Sequence, residues 1–207
     1  RIAAVTLTGS NRAGAAVGSA AGRASKKSVL ELGGSDAFIV LEDADVPAAA
    51  AAAVKARYNN AGQSCVCAKR FIVSQSVAEQ FTQLFVEGAS KLRMGDPFDA
   101  STDIGPMARP DLVTQLQRQI DASVTSGAKL LLGGQTPSGS GSFYPPTVLA
   151  NTQPGMAVFD EETFGPAAAI AIAKDDADAV RLANATPFGL SVSIWTASKS
   201  RGVALAK

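Results

Sequence analysis

Short apolar segments rich in β-branched or aromatic residues alternate along this chain of 207 residues with segments of helical periodicity. This alternation is typical of a layered α/β architecture, so we predict a mostly parallel sheet with flanking helices. The predicted strands are residues 2–8, 29–32, 38–41, 70–73, 129–132, 146–149, 167–173 and 191–195. The predicted helices are residues 13–24, 48–58, 77–92 and 111–124.

The composition narrows the possible partners. Nineteen basic and eighteen acidic residues leave a net charge of +1 without any block of like charge, whereas a nucleic-acid-binding surface usually shows clustered basic residues. No apolar run approaches the roughly 20 residues that cross a bilayer, and no signal peptide is visible. We therefore expect a cytoplasmic protein with no nucleic-acid or membrane partner. Two cysteines and no histidine also argue against a metal site.

The chain has no histidine, and this limits how a reactive cysteine could be assisted. Cys65 follows Gly62-Gln63-Ser64 after a predicted helix, a context in which a thiol can face a cleft. A nucleophilic cysteine commonly has a histidine base, so a reactive Cys65 would work with a carboxylate. The alternative is a buried, inert cysteine. For Cys67 we expect mainly a packing role, with reversible redox protection as the alternative.

Glu31 is the candidate carboxylate. It lies in the apolar sequence Val29-Leu30-Glu31-Leu32, directly before two glycines. Burial raises the pKa of a carboxyl group, which suits a general base near neutral pH, so we expect Glu31 to be buried. A glutamate on an edge strand that faces solvent is the alternative.

Two further segments have features of a cofactor site. In the first, Gly9 and Ser10 separate a strand from a helix, and backbone amides at a helix N-terminus stabilise a phosphate. In the second, Glu162 could accept hydrogen bonds from ribose hydroxyls while Phe164 packs beside a ring. Because the first lacks the GxGxxG pattern, a simple turn remains its alternative; for the second the alternative is a solvated acidic turn.

Taken together, these segments resemble the aldehyde dehydrogenase superfamily, and most closely its NAD(P)-dependent succinate-semialdehyde dehydrogenases. The motifs follow the family's order along nearly the whole chain. They are Glu31-Leu32-Gly33-Gly34, Gly62-Gln63-Ser64-Cys65, Met94-Gly95-Asp96-Pro97, Gly105-Pro106-Met107 and Glu161-Glu162-Thr163-Phe164-Gly165-Pro166. The resemblance implies the three-layer aldehyde dehydrogenase fold and oxidation of an aldehyde, expected to be succinate semialdehyde, to its acid.

The same resemblance assigns roles to residues. Cys65 would be the nucleophile and Glu31 the base that activates water to hydrolyse the thioester. NAD or NADP would be the cofactor, and the matching cofactor-binding positions are Gly9, Ser10, Gly14, Leu32, Glu162 and Phe164. A small-molecule aldehyde would be the substrate, and the family precedent favours a homodimer or homotetramer.

The resemblance also divides the chain. Residues 1–32 would be the C-terminal end of a dinucleotide-binding domain and residues 33–207 a truncated catalytic domain, so we expect a fragment that is inactive alone. Three alternatives remain: a catalytically silent structural module, an enzyme that passes the acyl group to coenzyme A, and a thiol redox protein that uses Cys65 and Cys67.

One position departs from the succinate-semialdehyde pattern. Some of those enzymes carry, six residues before the nucleophile, an arginine that binds the distal carboxylate, and Asn59 occupies this position here. Arg57 lies two residues earlier, which rotates it by roughly 160° on a helix.

Overall fold

The computed structural model describes residues 2–207 and divides the chain into two compact units, a small one that ends at Gly34 and a larger one, Ser35–Lys207. Each of the two units contains its own parallel strands. No helix within residues 2–207 has the length and apolar character needed to cross a bilayer.

The small unit is a strand, helix and strand in sequence. Its elements are β1 (Ala4–Thr8), α1 (Asn11–Arg23) and β2 (Lys27–Glu31). β1 and β2 pair in parallel, with Thr8 opposite Glu31. Ser10 caps α1, because its side chain accepts a 3.3 Å hydrogen bond from the backbone N–H of Ala13.

The larger unit contains a six-stranded sheet with helices on both faces. Its strands are β3 (Asp36–Val40), β4 (Ala68–Ser74), β5 (Lys129–Leu132), β6 (Thr147–Ala150), β7 (Ala167–Ala173) and β8 (Val192–Trp195). Its helices are α2 (Val46–Tyr58), α3 (Ala78–Ser90), α4 (Pro110–Thr125), α5 (Ala157–Asp160), α6 (Asp176–Asn184) and α7 (Lys199–Leu205), with a short 3-10 turn at Asn59–Gly62.

The order across the sheet is β5-β6-β7-β4-β3-β8. Every neighbouring pair is parallel except β5 with β6, which is antiparallel. The prediction of a mostly parallel sheet is therefore confirmed.

Alternate residues along the strands reach two separate cores, one on each face of the sheet. In β3, Phe38 and Val40 pack with α2 and α3, where Phe81 and Phe85 are fully buried. Ala37 and Ile39 join the opposite core with α4, α5 and α6. The helices on each face and the sheet between them form the three layers that the family resemblance implied.

The structure also contains helices that we did not predict. α5 has only four residues, too few for a helical period to show. α6 has nine, of which Asp176, Asp178 and Arg181 are charged. Its start is marked by Asp175, whose side chain accepts a 2.8 Å hydrogen bond from the backbone N–H of Asp178.

The loops before β4 and β7 define where the candidate site lies. Because β4 and β7 are adjacent and parallel, the segments that enter them meet at the same edge of the sheet. Cys65 precedes β4, and the segment with Glu162 and Phe164 precedes β7. The topology thus brings together two motifs that are about a hundred residues apart.

Candidate active site

Cys65 lies in a turn that follows an unusual stretch of backbone. α2 ends at Tyr58, and Asn60, Ala61 and Gly62 then have positive φ angles of 52°, 53° and 71°. A left-handed conformation costs a residue with a side chain roughly 1–2 kcal/mol, so surrounding contacts must hold Ala61 in place. The chain turns again at Cys65, where the backbone N–H of Cys67 donates a 3.3 Å hydrogen bond to Ser64.

The two cysteines differ in exposure. Cys65 is partly exposed, whereas Cys67 is 5% exposed, and both are free thiols. The Cys67 sulfur lies 3.8 Å from the carbonyl oxygen of Asn59. Burial agrees with the packing role expected of Cys67, and the partial exposure of Cys65 leaves it open to a reactant.

Gly62 is required by a close approach between the two loops. A side chain at this position would overlap the carbonyl oxygen of Gly165 and lie within 2.6 Å of an Arg57 nitrogen. Its positive φ is also a conformation that glycine adopts at little cost. The cysteine loop can therefore contact the Glu162 loop directly.

Arg57 joins the two loops from inside the protein. Its guanidinium is fully buried and donates hydrogen bonds to the carbonyl oxygens of Gly62 (3.3 Å), Ala68 (3.1 Å), Thr163 (3.0 Å) and Gly165. Burial lowers the pKa of Arg57, and the charges of Cys67, Tyr58 and Glu162 oppose that shift. Because Arg57 is fully buried and its guanidinium is bound to these carbonyls, it is not available to bind a substrate carboxylate.

Lys69 is the second buried cation behind the cysteine turn. Its side chain is 0% exposed, and its Nζ donates to the carbonyl oxygens of Ser64 and Cys65 at 3.0 Å and of Cys67 at 3.4 Å. It also lies 3.9 Å from a carboxylate oxygen of Glu162. Lys69 therefore contacts both the cysteine turn and the acidic loop.

The two neighbouring glutamates have different surroundings. The Glu161 carboxylate accepts hydrogen bonds from Arg118 at 3.0 Å and Gln119 at 2.9 Å, both on α4. The Glu162 side chain is 21% exposed and faces Lys69. Glu161 thus anchors the loop to α4, which leaves Glu162 as the carboxylate beside the cysteine turn.

Phe164 is presented outward from a buried segment. Thr163 and Gly165 on either side of it are buried, while Phe164 itself is 37% exposed. An exposed aromatic ring with a fixed backbone provides an apolar surface for a flat ring.

Gln63 connects the cysteine loop to a third motif. Its side-chain oxygen accepts a 2.8 Å hydrogen bond from the backbone N–H of Ala108, which follows Gly105-Pro106-Met107. Its amide nitrogen donates to the carbonyl oxygen of Asn60 at 3.3 Å. Both contacts hold the strained turn that precedes Cys65.

In the small unit, Gly9, Ser10, Gly14 and Leu32 lie around the start of α1. Gly9 and Ser10 are exposed, and the backbone N–H of Gly9 donates a 3.0 Å hydrogen bond to the carbonyl oxygen of Glu31. A side chain at Gly14 would lie within 2.6 Å of a methyl group of Leu32, so this glycine allows α1 to pack against the end of β2. Asn11 accepts a 3.1 Å hydrogen bond from the N–H of Gly33.

The expectation that Glu31 is buried is wrong for this structure. β2 pairs with β1 on one side, and four of its five residues are exposed, Glu31 among them. A two-stranded sheet flanked by a single helix lacks the second layer that would bury the side chain. In this structure Glu31 is therefore a glutamate on an edge strand that faces solvent, which was the alternative stated for it.

The sequence reasoning did not identify Lys69 as part of the site and considered Arg57 only as a substrate ligand. Both belong to segments made mostly of apolar or small residues, Ala-Lys-Arg-Phe-Ile-Val in β4 and the alanine-rich α2. All seven residues of β4 are buried. A charged residue inside a strand that is buried on both faces is the signal that could have identified Lys69.

Comparison with known proteins agrees with these motifs. The model of the aldehyde dehydrogenase family matches residues 1–207. The succinate semialdehyde dehydrogenase (NAD(P)+) Sad of Escherichia coli is 56% identical over 201 residues, which are 97% of this chain and 44% of that protein. The succinate-semialdehyde dehydrogenase (NADP+) of Mycobacterium leprae is 48% identical over 200 residues, again 97% of this chain and 44% of that protein.

A solved structure gives the same result for the fold. The NAD-dependent aldehyde dehydrogenase of Sinorhizobium meliloti matches with a TM-score of 0.96 and 37% identity, covering 99% of this chain and 41% of that one. The chain thus spans less than half the length of each of these three relatives. On the match of its whole length to the family model, the chain belongs to the aldehyde dehydrogenase family.

Proposed function

We propose that this chain supplies the catalytic thiol of an enzyme that oxidises an aldehyde to a carboxylic acid with NAD+ or NADP+. The observation that carries the proposal is the partly exposed Cys65 turn, which two buried cations hold beside Glu162 and Phe164. The proposal also assigns residues 1–32 to a dinucleotide-binding domain and residues 33–207 to the catalytic domain, and the boundary between the two compact units, which lies after Gly34, supports this division.

Each of the two candidate cofactor segments has groups that suit part of a dinucleotide. In the small unit, exposed Gly9 and Ser10 precede the N-terminus of α1, where backbone N–H groups favour a phosphate. In the larger unit, Glu162 can accept hydrogen bonds from ribose hydroxyls, and the exposed Phe164 can pack beside a flat ring. NAD(P)+, when bound, supplies the acceptor for the hydride that leaves the substrate.

The first half of the proposed reaction belongs to Cys65. Its thiolate attacks the aldehyde carbon, so that a carbon–sulfur bond forms and the carbonyl oxygen becomes an oxyanion. The backbone N–H of Cys65 is the proposed donor to that oxyanion. Loss of hydride from the same carbon leaves a thioester on Cys65.

The second half belongs to Glu31. In this role its carboxylate takes a proton from water, and the resulting hydroxide attacks the thioester carbon. The carbon–sulfur bond then breaks, the carboxylic acid leaves and Cys65 is regenerated. The match of Glu31-Leu32-Gly33-Gly34 to the family motif supports this role.

For the substrate we propose succinate semialdehyde. The names of the relatives from Escherichia coli and Mycobacterium leprae support this choice. Arg57 does not, because its guanidinium is fully buried and bound to backbone carbonyls, and Asn59 carries no charge. The group that binds the distal carboxylate would therefore differ from the arginine found in some of these enzymes.

We also propose that the enzyme is a homodimer or homotetramer.

The test compares succinate semialdehyde with butanal, an uncharged aldehyde of equal chain length, in the full-length protein with each cofactor. We expect a kcat/KM at least about tenfold higher for succinate semialdehyde, since one ionic contact contributes about 1.5–3 kcal/mol. Equal values for both aldehydes would contradict the substrate while leaving the reaction intact. No oxidation of either aldehyde with either cofactor would contradict the reaction.

A further inference from the structure

Lys69 contacts both the turn that carries the proposed nucleophile, Cys65, and the proposed ribose ligand, Glu162. Its Nζ lies 3.0 Å from the carbonyl oxygen of Cys65 and 3.9 Å from the carboxylate of Glu162, and its side chain has no exposed surface. A lysine is rarely buried completely unless its charge is compensated. Here the compensation comes from three carbonyl dipoles and one carboxylate.

The number of hydrogen bonds fits the charged form of the amine. An ammonium group has three N–H donors, and three carbonyl oxygens, those of Ser64, Cys65 and Cys67, lie within 3.4 Å. A neutral amine has two N–H donors and a lone pair, which would repel one of these oxygens. It would also lose the attraction to Glu162. The arrangement around Lys69 therefore depends on its positive charge.

We propose that the ammonium group of Lys69 is a positioning group that holds the Glu162 carboxylate in its cofactor-binding orientation and fixes it to the Cys65 turn. The inference rests on the proposed function, because it takes Glu162 as a ligand of the cofactor ribose. Lys69 touches neither substrate nor cofactor in this role. It acts through Glu162 and through the backbone of the cysteine turn.

The charges around Lys69 make its effect dependent on pH. Burial, the main cause, and the buried Arg57 on α2 together lower the pKa of Lys69, which is about 8 when the opposing charges are included. Glu162 in the loop before β7, Cys67 in the same turn and Asp36 on β3 oppose this shift. Lys69 is therefore charged below about pH 8 and neutral above it. We expect cofactor binding to weaken as the pH rises through this value.

The experiment measures the dissociation constant of NAD+ and NADP+ from about pH 6.5 to about pH 9.5 in the full-length protein, a range that brackets the pKa of Lys69. The variants are Lys69→Met, which keeps the apolar stem, and Glu162→Gln, with Lys129→Met as the control. Lys129 is an exposed lysine on β5 that is outside the site. Titration of the cofactor itself affects all four proteins equally.

For the unaltered protein and for Lys129→Met we expect affinity to fall at least about fivefold above pH 8, a coupling of about 1 kcal/mol. Lys69→Met should have the weaker affinity already at neutral pH and change less than about twofold across the range. Glu162→Gln should lose the same pH dependence. Because Glu162→Gln keeps Lys69 intact, this variant tests the inference even if Lys69→Met does not fold.

A pH dependence that persists in Lys69→Met or in Glu162→Gln would overturn the inference, as would its absence from the unaltered protein. These results can coexist with normal aldehyde oxidation, in which case only the role of Lys69 fails. If the unaltered protein binds neither cofactor and oxidises no aldehyde, both the inference and the proposed function fail.

Discussion

Arg57 donates a 3.0 Å hydrogen bond to the carbonyl oxygen of Thr163, a residue 106 positions further along the chain. The same guanidinium also binds Gly62, three residues before Cys65, and Gly165, next to Phe164. One buried side chain thus fixes the distance between the loop with the thiol and the loop with Glu162 and Phe164. A long-range contact of this kind depends on β4 and β7 being neighbours in the sheet.

Replacing Arg57 with methionine should destabilise the protein by at least about 2 kcal/mol. The apolar stem remains, but the carbonyl groups of Gly62, Ala68, Thr163 and Gly165 lose a hydrogen bond from the guanidinium, and a buried carbonyl left unsatisfied costs about 1–3 kcal/mol. The Gly165 carbonyl keeps its 2.8 Å bond from the backbone N–H of Ala167. Urea unfolding measures this change. Arg118→Met is the matched control, because that exposed arginine pairs with Glu161 at the surface and should contribute no more than about 1 kcal/mol. Equal losses for both variants would contradict the role of Arg57.

Gly62→Ala should be more harmful than the same change at another glycine of positive φ. At Gly62 the new methyl group meets the Gly165 carbonyl and Arg57, in addition to an unfavourable φ of 71°. At Gly127, with φ 104°, nothing lies within 4 Å of the new group, so Gly127→Ala carries only the backbone cost of about 1 kcal/mol. The difference between the two free energies of unfolding isolates the close approach of the loops. A difference near zero would show that the loops separate easily.

The two thiols should react at different rates with iodoacetamide. Cys65 is partly exposed, whereas Cys67 is 5% exposed and lies behind the turn. We expect alkylation of Cys65 to be at least about tenfold faster, since reaction at Cys67 requires local opening of about 1.4 kcal/mol or more. Mass spectrometry of the digested protein measures both rates in one sample. Faster labelling of Cys67 would be incompatible with the exposures in the structure.

Glu31→Gln should separate the two half-reactions. The amide cannot accept a proton from water, so thioester hydrolysis should slow by about a hundredfold or more, while formation of the thioester proceeds. Rapid mixing with aldehyde and cofactor should then show an initial burst of reduced cofactor followed by slow turnover. A burst and a steady state both equal to those of the unaltered protein would remove Glu31 from the mechanism.

The sequence predicted the sheet better than it predicted the side chains of the site. β5 and β7 have the bounds that were expected, because apart from Lys129 their residues are consecutive apolar ones between clear breaks. Glu31 was expected to be buried, since it follows two apolar residues, but local sequence does not show how many layers cover a strand. Lys69 was not identified, because its contacts come from the turn before its own strand and from Glu162, far along the chain.

The motifs themselves were recognisable because they combine glycines with chemically specific residues. Gly62 is explained by the close approach of two loops, and Gly165 by close packing against Leu116 and Met107. Both relationships exist only in the folded chain. The sequence could place Cys65, Glu162 and Phe164 as candidates. It could not show that Arg57 and Lys69 hold them together, since both are charged residues that usually lie at the surface.

The most direct test of the proposed reaction is to find the covalent intermediate. Glu31→Gln in the full-length protein is mixed with succinate semialdehyde and the preferred cofactor, quenched in acid during slow turnover and digested for mass spectrometry. Our account predicts a succinyl thioester on the peptide that contains Cys65, located at Cys65 rather than Cys67, and its absence from Cys65→Ser. Continued oxidation with no acyl group on Cys65 would contradict the account.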